Sequence, residues 1–466
     1  MQRTQIVNTP KAVGETVLLY GFVDTKRDHG KVTFIDLRDR SGIIQCVGYK
    51  MMGEITTESV VKVIGEVKAR PQNQINENIV TGTVELDVKE YEVLSMAREL
   101  PLSLDTDGYE VGEDVRLKYR YLDLRRPRLL NNMKKRSEFV QAMREGFFAE
   151  DFLEIETPIL TKATKEGARD FVVPSRLQHG KFYALPQSPQ QYKQLLMVGG
   201  FERYFQIARC FRDEDLRADR LFELSQIDVE MSYVFEPEEV RSFIEKIVKF
   251  AVGKIGGAFK DENWPIITYK EAMEKYGTDR PDLRTEEDKE QGKLAFAWVV
   301  DFPFFKKVDK DDEAEKIDGK SGWTFTHNPF SKPLKEYEQD LLDGKNIENI
   351  ITAQYDLVCN GYEVAGGSIR AHDPEMLKAT FKIMGYNDEE IEENIGHMLK
   401  ALSYGAPPHG GIAFGLDRLL MVLCGEESCK ESVAFPTTGS GRTSIMDAPA
   451  EITPAQLKEL SLQIKK

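Results

Sequence analysis

Residues 203–232 read RYFQIARCFRDEDLRADRLFELSQIDVEMS, two alternating stretches separated by a charged loop. In a strand, side chains two residues apart share a face. The first stretch then gathers Gln206, Cys210, Arg212 and Glu214 on one side. The second sends Gln226, Asp228 and Glu230 one way and Ile227, Val229 and Met231 the other. A polar sheet face within an apolar sequence is either the floor of a site or a sheet turned to water, and alternation alone fits both.

Downstream, residues 353–370 read AQYDLVCNGYEVAGGSIR. Asn360-Gly361 signals a type I′ hairpin turn, which makes Cys359 oppose Tyr362 and Val358 oppose Glu363, and leaves Asp356 diagonal to Glu363. Two carboxylates on one face repel unless a cation lies between them, and Mg²⁺ takes one or two carboxylates together with triphosphate oxygens. The pair therefore reads as a Mg-ATP site. Gly366-Gly367 lets a ligand approach the backbone and resets the alternation so that Arg370 faces the same pocket; a bulge without function is the alternative. Residues 410–423, GGIAFGLDRLLMVL, read as a helix preceded by two glycines and carrying Asp417 and Arg418, and taken alone they fit a core helix with a snorkelling arginine equally well. Upstream, in KKRSEFVQAMREGFFAEDFLEIETP (134–158), Phe139, Met143 and Phe147 recur at helical spacing before a strand that ends at Pro158.

Between Thr16 and Leu94 the pattern changes to short alternating runs, TVLLYGFVD, KVTFIDLRD, GIIQCVGY, VVKVIGEVKA and TVELDVKEYEVL. Five such strands in so short a span predict a small β-barrel, and the OB-fold is the common barrel of this kind that binds oligonucleotides. Chain length and patterning divide the protein into a barrel over 1–100, a basic linker or hinge over 101–125 and a larger domain over 126–466, an α+β architecture with an antiparallel sheet flanked by helices. The charge-rich segment DKDDEAEKIDGK (309–320) reads as an exposed loop.

Composition narrows the setting. The opening MQRTQIVNTPKAVGETV carries no apolar signal region, and no run reaches membrane-spanning length, so a cytoplasmic protein without a membrane partner is expected. Five cysteines with no CxxC pair fit reduced thiols better than disulfides or zinc. A net charge of −15 argues against indiscriminate nucleic-acid binding, DNA included. One stretch runs the other way: Arg116 to Arg136 holds nine Lys or Arg residues and a single acid, Asp123. It reads either as a local nucleic-acid surface or as a solvated helix face.

Taken together, the helix and strand ending in Pro158, the Phe211-Arg212-Asp213-Glu214 segment and the Gly415-Leu416-Asp417-Arg418 segment resemble the three motifs of class II aminoacyl-tRNA synthetases. GFVDTKRDHGKVTFIDLRDRSGIIQ, RLKYRYLDLRRP, TPILTKATKEGARDFVVPSR, FYALPQSPQQYKQLLM, CFRDEDLRADR and NGYEVAGGSIR are similar to the bacterial-type aspartyl branch of that family from end to end. The resemblance implies an OB-fold barrel that binds the anticodon, a class II catalytic domain, and a ligase that activates L-aspartate with ATP and transfers it to the 3′ end of tRNA(Asp). It assigns the catalytic roles to Arg212, Glu214 and Arg418. Arg212 holds the ATP α-phosphate, Arg418 takes the terminal phosphates, and Asp213, Glu214, Glu363, Gly415, Leu416 and Asp417 complete the nucleotide site. Asp356 and Glu363 would bind Mg²⁺. For the amino acid it assigns Lys193 and Arg370 to the side-chain carboxylate, Glu166, Gln190 and Asp228 to the ammonium group, and Ser188 and His327 nearby, with Arg212 also in contact.

In the barrel the resemblance gives Phe34 the task of stacking on the middle anticodon base and Gln45 that of reading its edge, with Arg27 at the backbone or a base. His29 stands where strict members of the branch have leucine, and implies that tRNA(Asn) is charged as well. It also implies a homodimer built on the first motif.

The chain departs from the family in three places. An inserted domain usual between the second and third motifs is absent near 284–296, Leu221-Phe222 replaces Gln-Pro, and His327-Asn328 replaces a His-His pair. Three rival readings remain. A synthetase for another amino acid, chiefly asparagine, is opposed by Lys193 with Arg370. A tRNA-independent asparagine-forming paralogue is opposed by the barrel, and a non-catalytic RNA-binding relative by the intact set Arg212, Glu214, Asp356, Glu363 and Arg418.

Overall fold

A computed structural model describes residues 1–164, 166–309, 315–316, 319–443 and 445–465 of the chain. The chain forms two compact units, Met1–Thr106 and Asp107–Lys466. In the first, β1 (Thr16–Asp28), β2 (Val32–Asp39), β3 (Gly42–Tyr49), β4 (Val60–Ala69) and β5 (Val84–Ser95) close into a barrel of order β1-β2-β3-β5-β4. The alternation seen in the sequence decides which residues fill it: Leu19, Val23, Ile35, Leu37, Ile44, Val63 and Leu86 are fully buried, while Phe34 and Gln45 on the intervening positions are not. This is the OB-fold the five runs predict.

The second unit contains the two-residue strand β6 (Leu153–Glu154), the pair β7 (Val172–Pro174) and β8 (Phe182–Ala184), the central strands β9 (Arg203–Phe211) and β10 (Glu223–Ser232), then β11 (Ile266–Thr268) and β12 (Phe296–Val300), the pair β13 (Phe305–Lys307) and β14 (Trp323–Phe325), and finally β15 (Gln354–Cys359), β16 (Tyr362–Ile369) and β17 (His409–Gly415). Eight of them make one sheet, β11-β12-β15-β16-β17-β10-β9-β6, antiparallel except at its two ends. Ile227 and Val229 of β10 join Phe139, Phe147, Ile244, Trp298 and Phe414 in one apolar core, together with the helices Pro127–Ala149 and Pro237–Lys254. The opposite face of β10 is polar but not wet: Gln226, Asp228 and Glu230 are 7, 1 and 0% exposed. Buried polar groups must be hydrogen-bonded or paired, so this face is the floor of a site and not a solvated sheet.

Three expectations need correction. Residues 410–415 belong to strand β17, lying between β10 and β16, and the helix covers only Leu416–Cys424. The sheet supplies two strand partners for this Gly-rich run, which outweighs its apolar spacing. The hairpin turn pairs Cys359 with Tyr362 and Val358 with Glu363 as expected, yet an extra residue, Val364, bulges beyond it and sets Gly366 directly opposite Asp356. The basic stretch, finally, is no solvated linker. Arg116, Arg120 and Arg126 are at most 7% exposed and converge on Asp123, with nitrogen–oxygen distances of 3.1, 2.9 and 2.7 Å. Glu426 and Glu431, three hundred residues on, take Arg128 at 2.6 and 2.9 Å. Segment 309–320 lies mostly outside the described residues.

Removing one partner of a buried ionic cluster strands the others, at a cost of about 3–5 kcal/mol. Asp123→Ala is therefore expected to destabilise the larger unit by about that amount in urea denaturation, whereas a surface acid such as Glu427 replaced by alanine shifts it by less than about 1 kcal/mol.

Candidate functional site

A cavity of about 260 Å³ opens over the polar face of β10. Its floor is a buried quartet of charges. Lys193, from the helix Gln190–Val198, reaches Asp228 Oδ1 at 2.6 Å and Glu230 Oε2 at 3.2 Å. Arg370 donates from Nε and Nη2 to the two oxygens of Glu230 at 2.9 and 3.2 Å, and from Nη1 to Ser368 at 2.8 Å. Burial would raise the Glu230 carboxyl, but Arg370 and Lys193 outweigh it and hold it below its ordinary range. Asp228 goes the other way, pushed up by burial, with Oδ2 left without a hydrogen-bond partner among the described residues. Glu230 appeared in the sequence only as part of the polar face. Its role was readable from the alternation once a cation was placed opposite.

One wall is a loop clamped by Gln187, whose amide donates to Ala168 O and Asp170 and accepts from the Ala168 N–H. That clamp brings Glu166 to the cavity, where the Ser188 hydroxyl donates to it at 2.6 Å. Gln190 also lines this wall and donates to Gln194 at 3.0 Å. Burial raises the Glu166 carboxyl, and Ser188 and Arg212 partly offset it.

The opposite end is cationic. Arg212 and Glu214 follow the end of β9 and both line the cavity. Glu214 accepts from Arg220 at 3.1 Å. Arg418, in the first turn of the helix Leu416–Cys424, donates to the Glu363 carbonyl at 2.8 Å and pairs with Asp219 at 3.3 Å. Its Nε is buried without a hydrogen-bond partner among the described residues. Asp417 and Gly415 line the cavity too, but Asp417 is fully engaged, by Arg136 at 2.6 Å and the Ser225 N–H at 2.8 Å.

Between these regions stand two acids. A Cβ on Gly366 would lie 3.0 Å from Asp356 Oδ1 and 3.4 Å from Glu363 Oε1, so only glycine leaves the space between the carboxylates open. Gly367 serves packing instead, since a Cβ there would run into the Gly411 carbonyl. The Glu363 carboxyl is raised by burial and then by Asp356. Asp356 accepts from Gln354 at 2.8 Å and contacts His327 Nε2 at 2.9 Å. Burial would lower the His327 imidazole, but Asp356 prevails and holds it up at about 8. No group of three or more His, Cys, Asp or Glu side chains converges for a metal among the described residues.

Three expected contacts are elsewhere. Asp213 lies off the cavity wall beside Arg169, and Leu416 is 1% exposed within the apolar core. Asp228 stands behind Lys193, not on the wall. On the barrel, the structure brings all four expected residues together. Arg27 lies 5.9 Å from the Phe34 ring and His29 meets that ring edge-on at 5.9 Å. Arg27 Nη2 donates to Gln45 Oε1 at 3.1 Å, and Gln45 Nε2 to Glu85 at 3.1 Å.

Residues 112–439 match the family described as tRNA synthetases class II (D, K and N), and residues 17–94 match the OB-fold nucleic acid binding domain. The chain is a class II tRNA synthetase. Curated relatives include an aspartate–tRNA(Asp/Asn) ligase of Phenylobacterium zucineum, 38% identical over 97% of this chain and 96% of that protein, and an aspartate–tRNA ligase of Bacillus licheniformis, 36% identical over 98% of each. The former alignment runs over 582 positions against 466 residues here, so that relative carries residues this synthetase lacks. Among solved structures, asparaginyl-tRNA synthetase of Pyrococcus horikoshii with asparaginyl-adenylate has the same fold, with a TM-score of 0.74 and 22% identity over 97% of this chain and all of that one. As a member of this family the synthetase takes ATP as a substrate and tRNA as its partner.

Because Glu230 orients both cations of the cavity floor, its loss should disturb that floor without touching Arg212 and Arg418 at the other end. Glu230→Gln is expected to lower kcat/KM for the amino acid about 10²-fold in ATP–pyrophosphate exchange, with KM for ATP within about twofold. Equal losses for both substrates would show that Glu230 merely supports the fold.

Proposed function

We propose that this synthetase activates L-aspartate with ATP and transfers it to the 3′ end of tRNA(Asp) and tRNA(Asn). The observation that carries the choice of amino acid is what remains free on Lys193 and Arg370. An ammonium has three N–H donors and a guanidinium five. Asp228 occupies one of the former, with Glu230 in ionic contact, and Glu230 with Ser368 three of the latter. The remainder are donors only, on two residues that line the cavity. Aspartate's side-chain carboxylate, an acceptor at both oxygens, satisfies them, whereas the amide of asparagine would set N–H against N–H. A site built on such polar partners discriminates by about 10⁴ to 10⁵. Because Glu230 and Asp228 neutralise the two cations, it is the direction of the donors, more than net charge, that selects. The ammonium group of the substrate falls to Glu166 and Gln190, with Ser188 and His327 alongside, and Asp228 is left as the partner of Lys193.

The chemistry needs no side-chain nucleophile. An α-carboxylate oxygen of aspartate attacks the α-phosphorus, pyrophosphate leaves, and a terminal ribose hydroxyl of tRNA then attacks the carbonyl carbon and releases AMP. Both reactants of the first step are anions, so Arg212 at the α-phosphate and Arg418 at the leaving phosphates align and neutralise them. Glu214 orients the nucleotide. Asp356 and Glu363, hard oxygen donors facing each other across the space over Gly366, fit Mg²⁺ shared with triphosphate oxygens. Bound there, the ion would neutralise charge on the phosphates. Asp213 and Leu416, off the wall, are left as supports of their loop and helix.

On the barrel, Phe34 provides a stack and Gln45 an edge reader for the middle anticodon base, with Arg27 beside them. His29, exposed next to Phe34, can hydrogen-bond at the third position where leucine cannot, which supports acceptance of tRNA(Asn). We also infer a homodimer on the helix Pro127–Ala149 and the strand β6 that follows it, where Phe148 of the helix and Leu153 of the strand are 54 and 49% exposed, and a cytoplasmic location, in keeping with five free cysteines. No helix among the described residues is long and apolar enough to cross a membrane.

Two measurements bear on this reading. Lys193→Met and Arg370→Leu are each expected to lower aspartate-dependent pyrophosphate exchange by about 10²-fold or more while ATP still binds; undiminished exchange in both variants would falsify the amino-acid assignment. In ATP-dependent charging of labelled aspartate, both purified tRNA(Asp) and tRNA(Asn) should accept it, and His29→Leu should depress the second relative to the first. Charging of tRNA(Asp) alone by the native protein would make the synthetase strict. Consumption of aspartate and ATP with neither tRNA charged would favour the tRNA-independent, asparagine-forming reading.

A further inference from the structure

The helix Gln190–Val198 supplies two residues to the cavity wall, Gln190 and Lys193, and a third, Gln194, that is wholly buried off the wall. Gln194 lies between two partners. Its Nε2 is 3.1 Å from His409 Nε2, and its Oε1 accepts from Gln190 Nε2 at 3.0 Å. His409, the first residue of β17, is equally buried, and its Nδ1 stands 2.8 Å from the Pro407 carbonyl. The ring is anchored, since the His409 main chain pairs with Ser232 of β10 and its carbonyl accepts the Arg370 N–H at 2.9 Å.

Hydrogen-bond chemistry gives this chain one direction. A carbonyl oxygen only accepts, so His409 Nδ1 carries a proton, and in a neutral imidazole the other nitrogen is then an acceptor. Burial lowers the His409 imidazole and outweighs Glu230, which would raise it, so the ring is neutral. An acceptor at Nε2 requires the amino end of Gln194. That leaves the Gln194 carbonyl for Gln190, which must in turn present its own amino end, and the Gln190 carbonyl is the end left without a place in the chain.

A second run of hydrogen bonds ends the same way. The Gln190 N–H donates to Ser188 Oγ at 3.2 Å, and the Ser188 hydroxyl to Glu166 at 2.6 Å. This wall therefore offers acceptors, Glu166 and the Gln190 carbonyl, where Lys193 and Arg370 on the floor offer donors. An ammonium group has donors only and a carboxylate acceptors only, so the way Gln190 faces decides which end of the substrate the wall can take.

We propose that Gln194 and His409 are positioning residues that hold the Gln190 amide with its carbonyl toward the substrate's ammonium group. Without them the amide is free to turn over and set its N–H₂ against the ammonium, so that an attraction becomes a repulsion. The chain is neutral throughout and adds no further charge to the desolvated floor. The inference rests on the reading of Glu166 and Gln190 as the ammonium end of the site.

The test compares, in ATP–pyrophosphate exchange, the KM for L-aspartate with the inhibition constant of succinate, which keeps both carboxylates and lacks the ammonium group. The ratio of succinate constant to aspartate KM reads the ammonium contacts. Gln194→Met, which conserves volume, is expected to raise the aspartate KM about tenfold and to leave succinate inhibition within about twofold. His409→Leu should lower the ratio in the same way, whereas His409→Gln, whose carbonyl can stand where Nε2 stood, should retain most of it. Should Gln194→Met not fold, the two His409 variants decide by the same ratio. Weaker binding of both ligands at an unchanged ratio would overturn the proposal and leave the chain a packing feature. If Gln190→Ala itself leaves the ratio unchanged, the ammonium reading fails and the chain's role with it; a native protein that does not exchange with aspartate at all would instead sink the choice of amino acid.

Discussion

Glu230 is the anion on which the charged floor of the cavity depends. It is wholly buried, on a central strand, and holds Arg370 through both oxygens and Lys193 through one. Without it and Asp228, two cations would lie side by side in a desolvated floor, a state that costs several kcal/mol per unpaired ion. With them the floor is neutral overall, and Lys193 and Arg370, its members that line the cavity, carry donors only; Asp228 Oδ2, without a hydrogen-bond partner among the described residues, is not on the wall. Charge neutrality makes the arrangement stable; the direction of the leftover donors makes it selective. The apolar side of the same strand, Ile227 and Val229, packs into the core and fixes the height of the polar side. Fold and site are thus set by alternate residues of one ten-residue strand.

The same strategy recurs where the chain enters the larger unit. Asp123 gathers Arg116, Arg120 and Arg126, and the Arg120 guanidinium also donates to the carbonyls of Lys430 and Val433. A guanidinium offers five donors in a plane, so one arginine can bind a carboxylate and cap two carbonyls at once, which a lysine cannot. The cluster ties residues near 116–128 to the segment 426–433, directly after the helix that carries Arg418. An ionic network of this kind fixes geometry more than it adds stability, and here it braces the helix that sets Arg418 on the cavity wall.

Which features could be read from the sequence follows from how local their causes are. The β-alternation of the barrel, the polar face of β10 and the register at Asn360-Gly361 rest on neighbouring residues, and each was legible. A bulge was legible near Gly366-Gly367, but its place at Val364 was not, since β16 pairs with β15 and β17 at once. Strand β17 was mistaken for helix since its apolar residues fit both periods; only β10 and β16 on either side decide. The basic stretch was opaque for another reason: its neutralising acids, Glu426 and Glu431, lie about three hundred residues away. Roles near the cavity came from the family resemblance, and that resemblance could not foresee that Lys193 and Arg370 share Glu230, nor that Asp213 and Leu416 stand off the wall.

Burial of those arginines also constrains how an acidic chain can hold RNA. The densest run of positive charge in the sequence is largely committed to internal carboxylates, so at a net charge of −15 it cannot serve as a broad phosphate-binding surface. Binding through many phosphate contacts would in any case be nonspecific and steeply salt-dependent. The barrel face is organised on a different principle: one partly exposed aromatic ring, one arginine near it, and an amide whose two ends are held by opposite charges. A stack is worth about 1–3 kcal/mol for any base, and discrimination is added only by the order of donor and acceptor at its edge. A protein that repels nucleic acid at long range and attracts it through a few short-range contacts gives up affinity for RNA in general and keeps it for the base that fits.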